Sequence, residues 1–217
     1  MNGILKLSHL KPLAQGRMRL VFEHPDDRSL LIKVIRPDVI ERRWGSGAAW
    51  YKRRRRYGRY TSYIREIQEY LAAYARHGKS LSFAQKITGL VETDMGLGLV
   101  MEAVRSSSGE LAPSLMDLIS TGTFDEEARR ALDVFLQQLV DSNLLISDMN
   151  PGNMVYLNKG SSGGRFVLID GIGASSAIPF KSWIRWLNRR SKLGRVKRLR
   201  LSILKREAAL RSRRQTG

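Results

Sequence analysis

Two polar segments in the last third of the chain constrain its fold more than any other feature. The first runs from Asp148 to Asn153 through an Asn-Pro-Gly turn, and the second is Asp170-Gly171 at the end of an apolar run. Asp, Asn, Pro and Gly are turn residues, so the first segment alone is as typical of an ordinary polar loop as of a functional site. Carboxylate and amide oxygens also suit Mg²⁺, and the two segments together are therefore a candidate metal site.

The chain between these segments predicts a β-hairpin. Residues 154–157 and 166–169 are apolar, and a Gly/Ser-rich turn at 158–164 separates them. The strands of a hairpin run antiparallel, so Asp170 would return to the end of the hairpin at which Asn153 lies. The hairpin gives the spacing of the two segments a geometric reason.

A lysine and a glutamate in the first third of the chain extend the candidate set. Residues 30–34 predict a buried strand with one cation, Lys33, and unpaired burial of that cation would be costly. A helix is predicted over 60–76, because apolar residues recur there at three- and four-residue steps. Glu66 is the preferred partner for the lysine and Glu69 the alternative, while either could also be an ordinary solvated charge.

The set Lys33, Glu66, Asp148, Asn153 and Asp170 resembles, in its order along the chain, the active site of protein-kinase-like proteins. The resemblance implies an α+β, two-lobed protein-kinase-like fold with a shortened, mostly helical large lobe. It implies ATP and Mg²⁺ as cofactors, with Lys33 held by Glu66 at the phosphates and Asn153 and Asp170 as metal ligands. Asp148 would orient or deprotonate the acceptor hydroxyl.

The chain also resembles the bacterial family of PhoP regulatory network protein YrbL. This resemblance rests on residues 89–100, on the kinase-like motifs and on residues 178–180 ahead of a Trp- and Arg-rich helix, and it covers nearly the whole chain. The loop from Asp148 to Asn153 is also similar to that of aminoglycoside and lipopolysaccharide-core sugar kinases. These similarities imply a phosphotransferase scaffold, whereas the family name describes a regulatory circuit and gives no substrate.

Three departures separate the chain from protein kinases. Of the glycines that let backbone N–H groups approach nucleotide phosphates, only Gly16 remains, so Arg17 or Arg19 would have to contribute. Ile146 stands where protein kinases have histidine, and Asn150 stands where they have lysine. These differences argue against a protein kinase but are compatible with small-molecule kinases.

The resemblance also implies where the base and the acceptor bind. Adenine would contact backbone groups of Glu102 and Ala103 at the junction of the lobes. Only 47 residues follow Asp170, without an Ala-Pro-Glu signal, so the expected acceptor is a small molecule or a lipid-linked sugar and not a protein. The alternative function is a catalytically weak kinase-like regulatory protein that binds nucleotide or an anionic partner.

The formal net charge of +18 is concentrated in two segments. Residues 36–59 contain nine Lys or Arg and residues 181–217 contain fourteen, whereas the remaining chain has fifteen against seventeen Asp or Glu. Nucleic acid is therefore not the expected partner. The first segment, with its basic run at 52–56, predicts a surface insertion that is disordered when free and either solvated or an anion dock.

The second segment, residues 181–217, predicts a basic C-terminal helix. Its three alternatives are packing on the large lobe, lying on an anionic membrane surface and contacting nucleic acid. Packing is favoured for Trp183 to Leu187, because a large lobe this short needs apolar side chains to cover its core. The Arg-rich remainder predicts attraction to anionic lipid.

The domain map places the small lobe at 1–104, with the insertion at 36–59, and the large lobe at 105–217. Strands are expected near 4–5, 20–22, 30–34, 83–87 and 97–104, and helices near 114–120 and 125–143. The expected location is the cytoplasm, peripheral at the inner membrane if the tail docks, because the sequence has no cysteine, no signal segment and no apolar run near the roughly 20 residues that span a bilayer.

Overall fold

The computed structural model describes residues 3–50, 54, 56–158, 163–173 and 185–215. It is a mixed α/β protein with a five-stranded antiparallel sheet, a two-stranded hairpin and several helices. The chain divides into two compact units, Met1–Tyr70 with Lys86–Ala103 and Leu71–Gln85 with Val104–Gly217. The sequence had placed residues 71–85 in the small lobe, at 1–104. In the structure they join the second unit, where the Gln85 N–H donates to the Leu168 carbonyl at 2.9 Å.

The first unit is built on the five-stranded sheet. Every pair of neighbouring strands is antiparallel, and the order across the sheet is β1-β2-β3-β5-β4. The strands are β1 Ala14–Gln15, β2 Arg19–His24, β3 Asp27–Ile35, β4 Ile87–Thr93 and β5 Gly96–Glu102. The expected strands near 20–22, 30–34 and 97–104 are confirmed.

Two strand expectations in this unit need correction. The strand expected at 83–87 begins only at Ile87 and continues to Thr93, because its residues pair with β5. Near residues 4–5 the described structure has only an isolated bridge, between Leu5 and Thr93, in place of the expected strand. A short apolar run predicts burial in both places, but the available hydrogen-bond partners decide how far pairing extends.

The sequence predicted that all of 36–59 is a surface insertion, disordered when free. The structure forms a helix in the first part of this segment. Pro37–Trp44 is a helix, α1, with Pro at its first turn and Val39 fully buried. The Arg36 guanidinium donates twice to the Asp38 carboxylate at 2.9 Å, which stabilises the helix start. The basic run is less fully described: Arg54 lies over the Trp50 ring, while residues 52, 53 and 55 lie outside the described residues.

The helix Thr61–His77, α2, packs through its first part on one face of the sheet and confirms the helix expected at 60–76. Because strand side chains alternate between faces, the sheet has two separate apolar layers. The layer under α2 includes Ile35, Tyr63, Leu99 and Met101, and the opposite layer includes Leu7, Phe22, Ile32, Val34 and Val100.

The second unit surrounds the predicted hairpin, which the structure confirms. Its strands are β6 Met154–Leu157 and β7 Arg165–Leu168, and its helices are α3 Leu115–Thr121, α4 Glu126–Asp141 and α5 Arg185–Gln215. Ser114 and Asp117 form a capping box at α3, and Asp125 caps α4, as the acidic helix starts in the sequence suggest. The shared core contains Phe135, Leu139, Met154, Phe166 and Leu168.

The C-terminal helix α5 packs on this core along one side. Leu199 and Ile203 are buried, although they lie in the Arg-rich part of the tail for which the sequence predicted attraction to anionic lipid. Trp186, which the sequence assigned to packing, is 63% exposed because it lies on the opposite side of the helix. Trp183 and residues 178–180 lie outside the described residues. Among the described helices, none is long and apolar enough to cross a membrane.

The closest glycine contact in the five-stranded sheet yields a stability prediction. A Cβ on Gly98 would lie 2.6 Å from Cγ2 of the buried Ile32, whereas a Cβ on Gly89 in β4 would meet nothing within 4 Å. We expect Gly98→Ala to lower the free energy of unfolding by about 1–3 kcal/mol, because the core side chains must shift. Gly89→Ala should change it by less than about 1 kcal/mol in urea titrations monitored by circular dichroism. Equal effects of the two variants would contradict this account of the sheet.

Candidate active site

The segment from Asp148 to Asn153 is held as a rigid turn in the second unit. Asn150 caps a single turn of 3-10 helix, with its Oδ1 accepting from the Gly152 N–H at 3.0 Å. Its carbonyl accepts from the Asn153 N–H at 2.9 Å. The turn directs the Asn153 side chain toward Asp148, and Asn153 Nδ2 lies 3.4 Å from Asp148 Oδ2. The turn chemistry that made this segment ambiguous in the sequence therefore fixes the geometry of the two candidate residues.

Asp170-Gly171 lies directly against this turn. The Gly171 carbonyl accepts from the Ser147 N–H at 2.8 Å and from the Asp148 N–H at 3.3 Å, and the Gly171 N–H donates to Asp170 Oδ1 at 2.6 Å. Gly171 has a φ of +86°, and a Cβ there would lie 2.2 Å from the Asp148 carbonyl oxygen. Only glycine allows both this backbone conformation and this close approach. The structure thus brings Asp148, Asn153 and Asp170 into one small region of the second unit.

The donor set of this region suits a hard cation. Asp170 offers a carboxylate and Asn153 an amide oxygen, and oxygen ligands of this kind are those that Mg²⁺ prefers. The Asn153 amide nitrogen faces Asp148, so the amide oxygen points away from Asp148 and could bind a metal ion. The described residues contain no cluster of three or more His, Cys, Asp or Glu, so this site would depend on two protein ligands together with substrate and water.

Sequence reasoning missed three residues of α5 that hold the chain just before Asp148. Asn188, Lys192 and Arg195 form an inner polar stripe at spacings of four and three residues, so they share one side of the helix. Lys192 Nζ donates to the carbonyls of Leu139 and Ser142 at 2.8 and 2.6 Å.

The rest of the inner polar stripe binds the following residues. Asn188 Nδ2 donates at 3.2 Å to the carbonyls of Asn143 and Leu144, and Arg195 Nη1 donates at 2.6 Å to the Ser147 carbonyl. The spacing of the three residues was visible in the sequence. Among so many cations, however, nothing in the sequence marked Lys192 and Arg195 as the ones that bind backbone carbonyls.

In the first unit, Lys33 and Glu66 are both buried. Antiparallel pairing of Val21 with Lys33 and of Arg19 with Ile35 places Arg19 and Lys33 on the same face of the sheet, the face that α2 covers. The Tyr63 hydroxyl donates to the Lys33 carbonyl at 2.8 Å and joins α2 to β3. Burial raises the pKa of this hydroxyl above its usual range, so it remains a donor.

Glu66 forms an ion pair that the sequence analysis did not foresee. Arg19 Nη1 lies 2.5 Å from Glu66 Oε1, and the two side chains are only 13% and 7% exposed. Of the two candidate glutamates, Glu66 is the buried one and Glu69 is partly exposed. Arg19, considered in the sequence as a phosphate contact, therefore neutralises the glutamate that was expected to hold Lys33. The alternation of side chains along β2 could have predicted this contact. Leu20 and Phe22 face the opposite apolar layer, so Arg19 must face α2.

The remaining nucleotide candidates use their backbone groups within the first unit. Gly16 N–H donates to the Arg19 carbonyl at 2.9 Å, and Gly16 O accepts from Arg36 at 3.2 Å. The N–H of Glu102 donates to Lys86 O, and that of Ala103 to Ser29 O. An adenine contact at these last two residues would have to use a carbonyl or displace a sheet hydrogen bond. Arg17, the other proposed phosphate contact, is exposed.

Comparison with known proteins places these features in a family. The model of the family described as PhoP regulatory network protein YrbL matches residues 5–203. The chain belongs to this family. It is 26% identical over 189 residues to the "Uncharacterized protein YrbL" of Escherichia coli (strain K12), an alignment that covers 84% of this chain and 80% of that protein. The protein of the same description from Shigella flexneri matches to the same extent.

The close approach at Gly171 gives a direct test of the site geometry. Gly171→Ala should lower the free energy of unfolding by roughly 1–2 kcal/mol for the backbone conformation, with a further cost of about 1–3 kcal/mol for the contact with Asp148. Gly109 is a matched control, because its φ is +82° and a Cβ there would meet nothing within 4 Å. In chemical denaturation Gly109→Ala should therefore show the first cost alone. A Gly171 variant as stable as the Gly109 variant would mean that the contact is not tight.

Proposed function

We propose that this protein is an ATP- and Mg²⁺-dependent phosphotransferase that acts on a hydroxyl of a small molecule or a lipid-linked sugar. The contact between Asp148 and Asn153 beside Asp170-Gly171 carries this proposal. An acceptor-orienting carboxylate and a pair of metal ligands need to lie together, and two separate segments of the second unit supply them. In this proposal the two compact units correspond to the lobes of a kinase-like fold, and the protein works in the cytoplasm, where ATP is available.

Each residue of the second unit has a distinct role in the proposed reaction. Asn153 and Asp170 would hold Mg²⁺, which when bound neutralises charge on the nucleotide phosphates. Asp148 would accept the hydrogen bond of the acceptor hydroxyl and orient its oxygen for attack. The Asn153 amide donates to Asp148 and thereby keeps that carboxylate in one orientation. The inner polar stripe of α5 is a positioning element, because Arg195 holds the carbonyl of the preceding residue.

Lys33 would position the nucleotide phosphates from the first unit. Its burial on the sheet face that α2 covers supports this role, since the surrounding side chains hold the ammonium group in a defined place. Arg19 lies on the same sheet face and would add a second cation near the phosphates or, through Glu66, fix the helix beside them. This arrangement would compensate for a nucleotide loop in which only Gly16 remains.

One observation favours a second candidate, a catalytically weak kinase-like regulatory protein that binds nucleotide or an anionic partner. The ion pair between Arg19 and Glu66 joins the helix glutamate to an arginine of β2, a contact that the kinase-like resemblance did not imply. A site stabilised in this form would bind nucleotide without aligning it well for transfer. The regulatory network named in the family description is compatible with this candidate.

Binding of ATP and Mg²⁺ should stabilise the protein if it is a phosphotransferase or a nucleotide-binding regulatory protein. A ligand at a hundred times its dissociation constant adds about 2.7 kcal/mol to the free energy of unfolding, which corresponds to roughly 5–10 °C in melting temperature for a chain of this size. We expect this shift in differential scanning fluorimetry with millimolar ATP and Mg²⁺, and a smaller one when EDTA removes the metal. Asp170→Asn should reduce the difference made by Mg²⁺. Absence of any shift would contradict the phosphotransferase and the nucleotide-binding form of the regulatory candidate.

Asp148→Asn separates the enzyme from the regulatory protein. The substitution removes the acceptor-orienting carboxylate but keeps the metal ligands, so the melting shift with ATP and Mg²⁺ should persist. Transfer of the γ-phosphoryl group, to water or to a panel of sugar hydroxyls, should fall by roughly 10²–10⁴-fold. Asp26→Asn is the control, since Asp26 is exposed in a turn of the first unit. A wild-type protein that binds ATP but transfers phosphate to nothing would favour the regulatory candidate.

A further inference from the structure

The helix α5 presents two different sides. Its inner side carries Asn188, Lys192, Arg195, Leu199 and Ile203, which bind or pack within the second unit. At 100° per residue these side chains fall within an arc of about 80°. The opposite side is exposed over the described length of the helix and carries none of the residues assigned to the proposed reaction.

Four large apolar side chains stand on that opposite side. Trp186, Leu193, Leu201 and Leu204 are 63%, 47%, 49% and 60% exposed. With the exposed cations Arg190 and Lys197 they form an outer stripe that also falls within about 80° of arc and runs for about 27 Å along the helix. Scattered exposed leucines are ordinary, but an aligned row of this length on one helix marks an interaction surface.

The charge of α5 indicates what this surface binds. The helix carries thirteen Lys or Arg and a single acid, Glu207. That acid is paired with Arg129 of α4. Cations that interrupt and flank a Trp- and Leu-bearing stripe are typical of helices that lie in the interface of an anionic bilayer, with apolar side chains at the acyl boundary and cations at the headgroups.

Two other occupants fit the outer stripe less well. Nucleic acid would use the cations, but exposed leucines gain nothing from a phosphate backbone. A second copy of the chain would bury the leucines but would bring Arg190 and Lys197 of both copies into one interface, where like charges repel. We therefore infer that the outer stripe of α5 is a docking surface for an anionic lipid bilayer.

Sedimentation of the full chain with vesicles tests this inference. Vesicles containing phosphatidylglycerol should bind the protein, and pure phosphatidylcholine vesicles should bind it much more weakly. The difference should shrink between about 0.1 and 1 M salt, because the screening length falls from about 10 to 3 Å. No nucleotide or acceptor is needed, so the result does not depend on the proposed phosphotransferase activity.

Matched leucine variants show whether the outer stripe is responsible. Leu201→Gln with Leu204→Gln keeps helix propensity but removes two insertable side chains, and should lower the partition coefficient onto phosphatidylglycerol vesicles at least about tenfold. Leu71→Gln on α2, where Leu71 is 58% exposed, makes the same chemical change outside the stripe and should have no effect. Circular dichroism should show unchanged helix content in all variants.

Four outcomes would contradict docking of the outer stripe on an anionic bilayer. Equal binding to neutral and anionic vesicles, or an unchanged partition coefficient for the double leucine variant, would overturn the inference. Tighter binding to duplex DNA than to anionic vesicles at the same salt would assign the surface to nucleic acid instead. A lipid-free dimer in analytical ultracentrifugation that the double variant abolishes would assign it to a second copy of the chain.

Discussion

The carbonyl groups between α4 and Asp148 are the constraint on which the second unit depends. Residues 142–147 leave a helix and enter a turn in which Ile146 forms one isolated bridge with Ile172, so their carbonyls need partners from elsewhere. The Leu145 carbonyl accepts from the Gly173 N–H, and the inner polar stripe of α5 binds the carbonyls of residues 142, 143, 144 and 147. A single helix therefore completes the end of α4, covers part of the core and fixes the backbone that leads into the candidate catalytic residue.

The first unit has a comparable constraint in Glu66. A carboxylate buried beneath a helix is stable only with a partner, and removal of one member of such a pair is costly. Arg19 provides that partner from β2, and its planar guanidinium binds a carboxylate in a more defined geometry than an ammonium group does. Lys33 lies on the same face of the sheet, and α2 is joined to that face both by the ion pair of Glu66 and by the Tyr63 hydroxyl on the Lys33 carbonyl.

Local patterns predicted what local interactions determine. The β6–β7 hairpin, and with it the return of Asp170 to the end at which Asn153 lies, followed from turn residues and apolar runs over about twenty residues, and the burial of Lys33 followed from the apolar run around it. The Arg19–Glu66 pair was missed because it joins residues 47 positions apart. The helix at Pro37–Trp44 was missed because its charges concealed one buried face. The exposure of Trp186 was missed because the polar residues Asn188 and Lys192 are buried on the other side of the helix. Each of these errors concerns a partner that is distant in sequence.

The two sides of α5 also connect the Asp148 turn with the exposed outer stripe. An α-helix with its side chains is about 10–12 Å across, so the outer stripe lies about one helix diameter from the Ser147 carbonyl that Arg195 holds. A bilayer bound to the outer stripe would then lie close to the Asp148 turn without any rearrangement of the helix. A soluble acceptor gains nothing from this proximity, whereas an acceptor hydroxyl on a lipid-linked sugar is confined to the same plane. Of the two acceptor classes proposed for the site, the geometry of α5 therefore favours the lipid-linked one.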